Sequence, residues 1–324
     1  MREIQVETFL QKLSEGMSGP SLVLCDDGKK YILKKEEEKQ SFDSTFINEV
    51  VSYELAKYLE IPICECAVAK IDKELVDFDR DIVFVHQFRE GMYFASQEEP
   101  NVINNIMENA LELKEMGKPY IERTWNDFFR SVNNKEDFAK IIAFDLLICN
   151  YDRFNHLNNF LVSKEGSSNK IIAIDHGHAF FGPTWNDNKI AFLDGYNRNF
   201  NFLNDIFLLY LNVAKSTTNL GVIFKAFESN INLVDVDKHD FINIIARIES
   251  INEGIIEEIF ESIPEEWFKD REMQKQYYKQ FLLEHKYNVK KIIQFLADNN
   301  YFTNYRGGEL NCKQTEKLKD ITQL

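Results

Sequence analysis

Strand signals crowd into roughly the first 90 residues of this chain, and helical periodicity takes over after Asn101. That segregation constrains the fold more than any other feature, because strands followed by helices give an α+β architecture rather than an alternating parallel α/β sheet. In PSLVLCDDGKKYILKK, apolar runs from Leu22 to Cys25 and from Tyr31 to Leu33 flank Asp27-Gly28, the turn chemistry of a tight hairpin. DSTFINEVVSYELAKYLEIP follows, with a capping candidate at Asp43 or Ser44, Ile47, Val51, Leu55 and Tyr58 at helical spacing, and Pro62 as its stop. It predicts a helix with one buried face. CAVAKI (66–71) and DIVFVHQF (81–88) read as further strands.

Helical patterns then run through NVINNIMENALELKEM (101–116), NKEDFAKIIAFDLLIC (134–149), FLNDIFLLYLNVAK (202–215), LGVIFKAFES (220–229), DFINIIARIESINEGIIEEIFESI (240–263) and KYNVKKIIQFLADN (286–299). One hairpin interrupts them. FLV (160–162) and IIAI (171–174) are short strands joined by the turn-rich SKEGSSN. If they pair antiparallel, the open end brings Asn159 next to Asp175, with opposed Cβ atoms roughly 5 Å apart. An amide oxygen and a carboxylate at that separation can share magnesium, the remaining ligands coming from phosphate oxygens. Asp152 stands seven residues before Asn159, in the irregular stretch after a helix. There it can accept a proton from an attacking hydroxyl, as a base does in phosphoryl transfer.

The 324 residues suffice for two lobes sharing a cleft, and 44% hydrophobic with 28% charged residues is ordinary globular composition. MREIQVETFLQKL carries Arg2, Glu3 and Glu7 among its apolar residues, unlike a signal peptide, and no run approaches the roughly 20 apolar residues of a spanning helix. The five cysteines are odd in number, and only Cys64 and Cys66 are close, so reduced thiols and a cytoplasmic setting are expected. Formal charge is 38 − 53 = −15, which argues against a general nucleic-acid binder. From Lys269 onward the balance turns mildly basic, read as a solvated helical surface.

The stretch Asp152-Arg153, Asn159-Phe160-Leu161-Val162 and Ile174-Asp175-His176-Gly177 resembles the catalytic loop and metal-binding strand of HipA-like kinases, and more distantly the corresponding motifs of phosphoinositide kinases. The resemblance implies a two-lobed protein kinase-like fold, a β-rich N-lobe over 1–95 and a mainly helical C-lobe over 96–324. It further implies a catalytic loop at 150–159 and a metal-binding hairpin at 159–177. Asp152 would be the catalytic base, and Asn159 and Asp175 would bind magnesium, with Asn158 as the alternative to Asn159. GMSGPSLVLCDDGKKYILKK looks like the family's phosphate-covering hairpin, which makes Gly16, Ser18 and Gly19 cofactor-binding candidates. Lys34, with Lys35 as the alternative, would contact the ATP phosphates. Asn48-Glu49 resembles the helix site whose glutamate pairs with that lysine, and IPEEW (263–267) with the helices after it looks like the end of the helical lobe.

The sequence departs from the family in Phe154, where histidine is common, in Leu157 at the usual asparagine position, and in the lack of a G-x-G-x-x-G loop. Taken together, ATP, magnesium and a protein Ser/Thr acceptor are the family's implication. A small-molecule kinase or a catalytically silent nucleotide-binding module would share the same parts. Arg153 is read as orienting its loop. His176 and His178 invite a zinc reading, but no further histidine motif supports it, and local packing is expected instead.

Overall fold

Asp27-Gly28 turns the chain between β2 (Ser21–Cys25) and β3 (Lys30–Leu33), which pair antiparallel with Leu22 opposite Ile32 and Val23 opposite Tyr31. Gly28 takes a φ of 73°, a conformation that costs glycine nothing. The computed structural model describes residues 1–13, 19–36, 43–103, 116–117, 129–154, 159–195 and 220–312. The expected helix at 202–215 lies outside them, as does most of 101–116.

Two strands not anticipated above complete the N-lobe. β1 (Glu3–Lys12) alternates buried Ile4 and Val6 with exposed Glu3 and Glu7, and β5 (Gly91–Gln97) pairs with both β3 and β4 (Cys66–Ile71). β1 lies parallel to β4, Glu3 opposite Val68, and closes a barrel in the order β1-β2-β3-β5-β4. Closure leaves no free edge. Ala67, Ala69 and Ile71 of β4 join Val23, Tyr31, Leu33 and Ala95 in the interior, while Cys66 and Val68 belong to the outer cluster with Phe94. Burial on both faces explains why CAVAKI is apolar without alternation.

DIVFVHQF is not a strand. After the short helix α2 (Lys73–Phe78), it forms a single helical turn, Ile82–His86. That turn puts Ile82 and Phe88 into the barrel interior and leaves Phe84 78% and Val85 47% exposed. A strand would have alternated these side chains, so the demand for an apolar plug overrides β-propensity here.

α1 (Thr45–Leu59) also departs from its expected single buried face, since most of its residues are buried, among them Asn48, Glu49 and Ser52. The helix is clasped between the barrel wall and the helical lobe, sharing one apolar cluster with Val68, Phe94, Phe138 and Ile142.

The C-lobe packs α3 (Glu136–Leu147), α4 (Asp187–Leu193), α5 (Val222–Glu228), α6 (Ile242–Glu249), α7 (Glu253–Glu261), α8 (Arg271–His285) and α9 (Val289–Asp298). The run 240–263 breaks into α6 and α7 because Asn252 caps α7, its side chain accepting from the Ile255 amide at 3.2 Å. Trp267 of IPEEW reaches back to the N-lobe, its Nε1 donating to the Met92 carbonyl at 3.2 Å.

β6 (Phe160–Glu165) and β7 (Ser168–Ala173) form the expected hairpin, Phe160 opposite Ala173 and Val162 opposite Ile171. Both edges are covered. Val102 bridges Ser163, Ile63 bridges Ala173, and the Ala173 amide donates to the Pro62 carbonyl at 2.8 Å. The hairpin is therefore stitched to segments arriving from the N-lobe. The cysteines are free thiols, all buried but Cys312. Among the described residues no helix is long and apolar enough to cross a membrane.

Candidate active site

Strand alternation decides which lysine faces the cleft. Leu33 and Tyr31 point into the barrel, so Lys34 projects from the opposite face. Its Nζ donates to Glu49 Oε1 at 2.5 Å and to Asp175 Oδ1 at 3.0 Å. Lys35 takes the other side, donating to the His86 carbonyl at 3.1 Å and lying 5.1 Å from the Phe88 ring centre. Glu49 also accepts the His176 amide on Oε2 at 3.2 Å. Helix α1, the strand-end lysine and the segment after β7 thus meet at one ion triad.

Burial lowers the Lys34 pKa, but Asp175 and Glu49 outweigh it and raise the pKa above the ordinary lysine value. Desolvation likewise opposes ionisation of Asp175, and the Lys34 ammonium overcomes it, holding the carboxyl down at about 2. Glu49 is almost fully buried, which pushes its carboxyl up against the pull of Lys34. Burial keeps His176 neutral, well below its usual pKa, and its ring packs edge-on against Phe144 at 5.6 Å.

The hairpin register puts Ile174, not Asp175, opposite Asn159, with the Ile174 amide donating to the Asn159 carbonyl at 3.2 Å. Asp175 follows with a φ of 61°, and this left-handed step brings its 47%-exposed carboxylate to Lys34. Gly177 is required by close approach, since a Cβ there would stand 2.8 Å from Thr45 Cγ2 in the first turn of α1.

On the other side of the hairpin mouth, Asn159 Nδ2 donates to Asp152 Oδ2 at 2.9 Å. Arg153 is fully buried and ties the mouth shut: Nη1 donates to the carbonyls of Asn159 and, at 2.8 Å, of Ile174, while Nε donates to Asp145 Oδ2 at 2.5 Å. Burial raises the Asp145 carboxyl to about 6 in spite of Arg153. Asp145 was legible as an acid inside the apolar run IIAFDLLI, which demands a buried cation nearby. Arg153→Met should cost about 3–5 kcal/mol, because it leaves that carboxylate buried without its partner. Denaturant unfolding checks this, and a loss under about 1 kcal/mol would show that the pair does not hold the loop.

Phe154 fills the C-lobe core against Phe224, ring centres 5.3 Å apart, where a histidine would have to bury a polar ring. Gly19 adopts a φ of 56° beside the Lys35 side chain. Gly16, Ser18 and Asn158 lie outside the described residues.

Residues 6–192 match the model of the HipA-like kinase family. Among solved structures, the Helicobacter pylori proinflammatory kinase CtkA is similar at a TM-score of 0.53 and 13% identity, over 95% of this chain and 99% of that one. HipA of Shewanella oneidensis MR-1, solved with HipB and operator DNA, matches at a TM-score of 0.40 and 15% identity, over 87% of this chain and 67% of that one. No curated protein sequence matches. With the family model spanning more than half of the residues and the fold shared end to end with a kinase, this chain belongs to the HipA-like kinase family.

Proposed function

We propose that this kinase takes the γ-phosphoryl group from ATP, with magnesium, and passes it to a serine or threonine hydroxyl of a protein. The observation that carries this reading is Lys34 held between Glu49 of α1 and Asp175 beyond β7, one cation joining the two lobes where phosphates would lie. Positioning and charge neutralisation are what phosphoryl transfer asks of a protein.

The donor set fits magnesium. Asp175 offers a carboxylate that stays ionised at neutral pH, and Asn159, whose nitrogen is turned to Asp152, offers a hard amide oxygen. Held by Asp175 and Asn159, magnesium would offset the negative charge of the ATP phosphates. Lys34 would hold the phosphates, with Glu49 fixing the lysine. Asp152, oriented by the Asn159 amide, would take the proton from the acceptor hydroxyl. Arg153 donates to the carbonyls of both Asn159 and Ile174, which would hold the base and the metal ligands in register.

Thermal-shift titration with nucleotides and metals tests the reading, the expected result being stabilisation by ATP that grows with magnesium. No nucleotide response at any magnesium concentration would count against it. The choice of asparagine is tested in the same assay. Asn159→Ala should raise the magnesium midpoint about tenfold or more, and Asn158→Ala should leave it within about twofold. The reverse ranking would move the ligand to Asn158.

A further inference from the structure

Asn48 precedes Glu49 on α1 and is fully buried, yet every polar atom of its side chain is engaged. Its Nδ2 faces three carbonyls of the segment after Asp175: Gly177 at 2.7 Å, Ala179 at 2.9 Å and Gly182 at 3.1 Å. Its Oδ1 accepts from Lys189 Nζ of α4 at 3.0 Å and from the Tyr278 hydroxyl of α8 at 2.6 Å. Lys189 is also buried, donates to the Gly182 carbonyl at 2.7 Å, and lies 5.3 Å from the centre of the Tyr278 ring.

The segment so gripped is strained. Phe180, Phe181 and Gly182 follow one another at φ values of 53°, 66° and 113°, and bulky residues rarely hold that region without support. Burial holds the Lys189 amine well below the usual lysine value against the pull of Asp43, so the group is buried for its hydrogen bonds to Asn48 and Gly182. Its placement orients Asn48, since a lone amide could flip and lose its grip on the carbonyls.

We propose that Asn48, held by Lys189 and Tyr278, is a positioning residue that sets Asp175 beside Lys34 by pinning the backbone of residues 177–182 to α1. The clamp deepens the phosphotransfer reading and rests on it for its consequence. Adjacent residues on one helix then fix both halves of the phosphate site, Glu49 through Lys34 and Asn48 through the metal segment. Asn48 thereby ties α1 to α4 and α8 of the C-lobe.

The test uses Lys189→Met, which keeps the aliphatic stem and removes Nζ, and the milder Tyr278→Phe, which removes one donor in case the first fails to fold. Two readouts are taken on the full chain: hydrogen exchange of residues 176–182 without nucleotide, and the magnesium midpoint for ATP binding. Faster exchange at 176–182 by about tenfold, with the barrel hairpin at 22–33 unchanged, is expected. The magnesium midpoint should rise about ten- to a hundredfold, the scale of losing a group that orients a metal ligand. Unchanged exchange at 176–182 would overturn the clamp. Faster exchange with a wild-type midpoint would overturn its positioning role and leave a purely structural contact. A wild type that ignores magnesium and ATP would sink the phosphotransfer reading instead, and hydrogen exchange alone would then decide the clamp.

Discussion

Asp152→Asn should lower phosphoryl transfer by roughly two orders of magnitude or more while leaving Mg-ATP binding nearly unchanged. The substitution keeps size and removes charge. A base contacts the acceptor hydroxyl and not the nucleotide, so its loss falls on the transition state rather than on ATP affinity. Asn159 donates to this carboxylate at 2.9 Å, and an amide at position 152 can still accept that bond, so the loop should keep its shape. Single-turnover rates and nucleotide affinity measured side by side check the split. Equal transfer by both proteins would leave the Asp152 loop with only a structural role.

The second large effect is expected from Asp175→Asn, which should abolish most of the magnesium-dependent stabilisation by ATP. Ligand at a hundredfold over its Kd stabilises a folded protein by about 2.7 kcal/mol, and most of that increment should vanish. The fold should survive, because Lys34 keeps Glu49 at 2.5 Å and Arg153 still holds the hairpin mouth. Asp175 is ionised far below neutral pH, so the defect should persist across pH 6 to 8. A full magnesium-dependent shift in the variant would remove Asp175 from the metal site.

What the sequence discloses follows the range of the forces involved. Asp27-Gly28 and SKEGSSN act locally, and both hairpins stand where their turn residues put them. Lys34 could have been chosen over Lys35 by strand alternation alone, since Tyr31 and Leu33 must face the barrel. The parallel pairing of β1 with β4 joins residues some sixty positions apart, and no local pattern specifies it. β5 was missed because GMYFASQ has no β-branched run, and DIVFVHQF misled because it has one. Asn48 was visible as a polar residue in an apolar helix, but its partners come from α4, α8 and the loop beyond β7, which only the assembled fold brings together.

The central claim is tested most directly by incubating the full chain with ATP labelled in its γ-phosphate, with and without magnesium, alone and with a generic Ser/Thr-rich protein. Magnesium-dependent label on serine or threonine, lost in Asp152→Asn, is the expected result. Tight Mg-ATP binding with no label on this chain, on the added protein or on small hydroxyl compounds would contradict it, leaving a nucleotide-binding module without transfer.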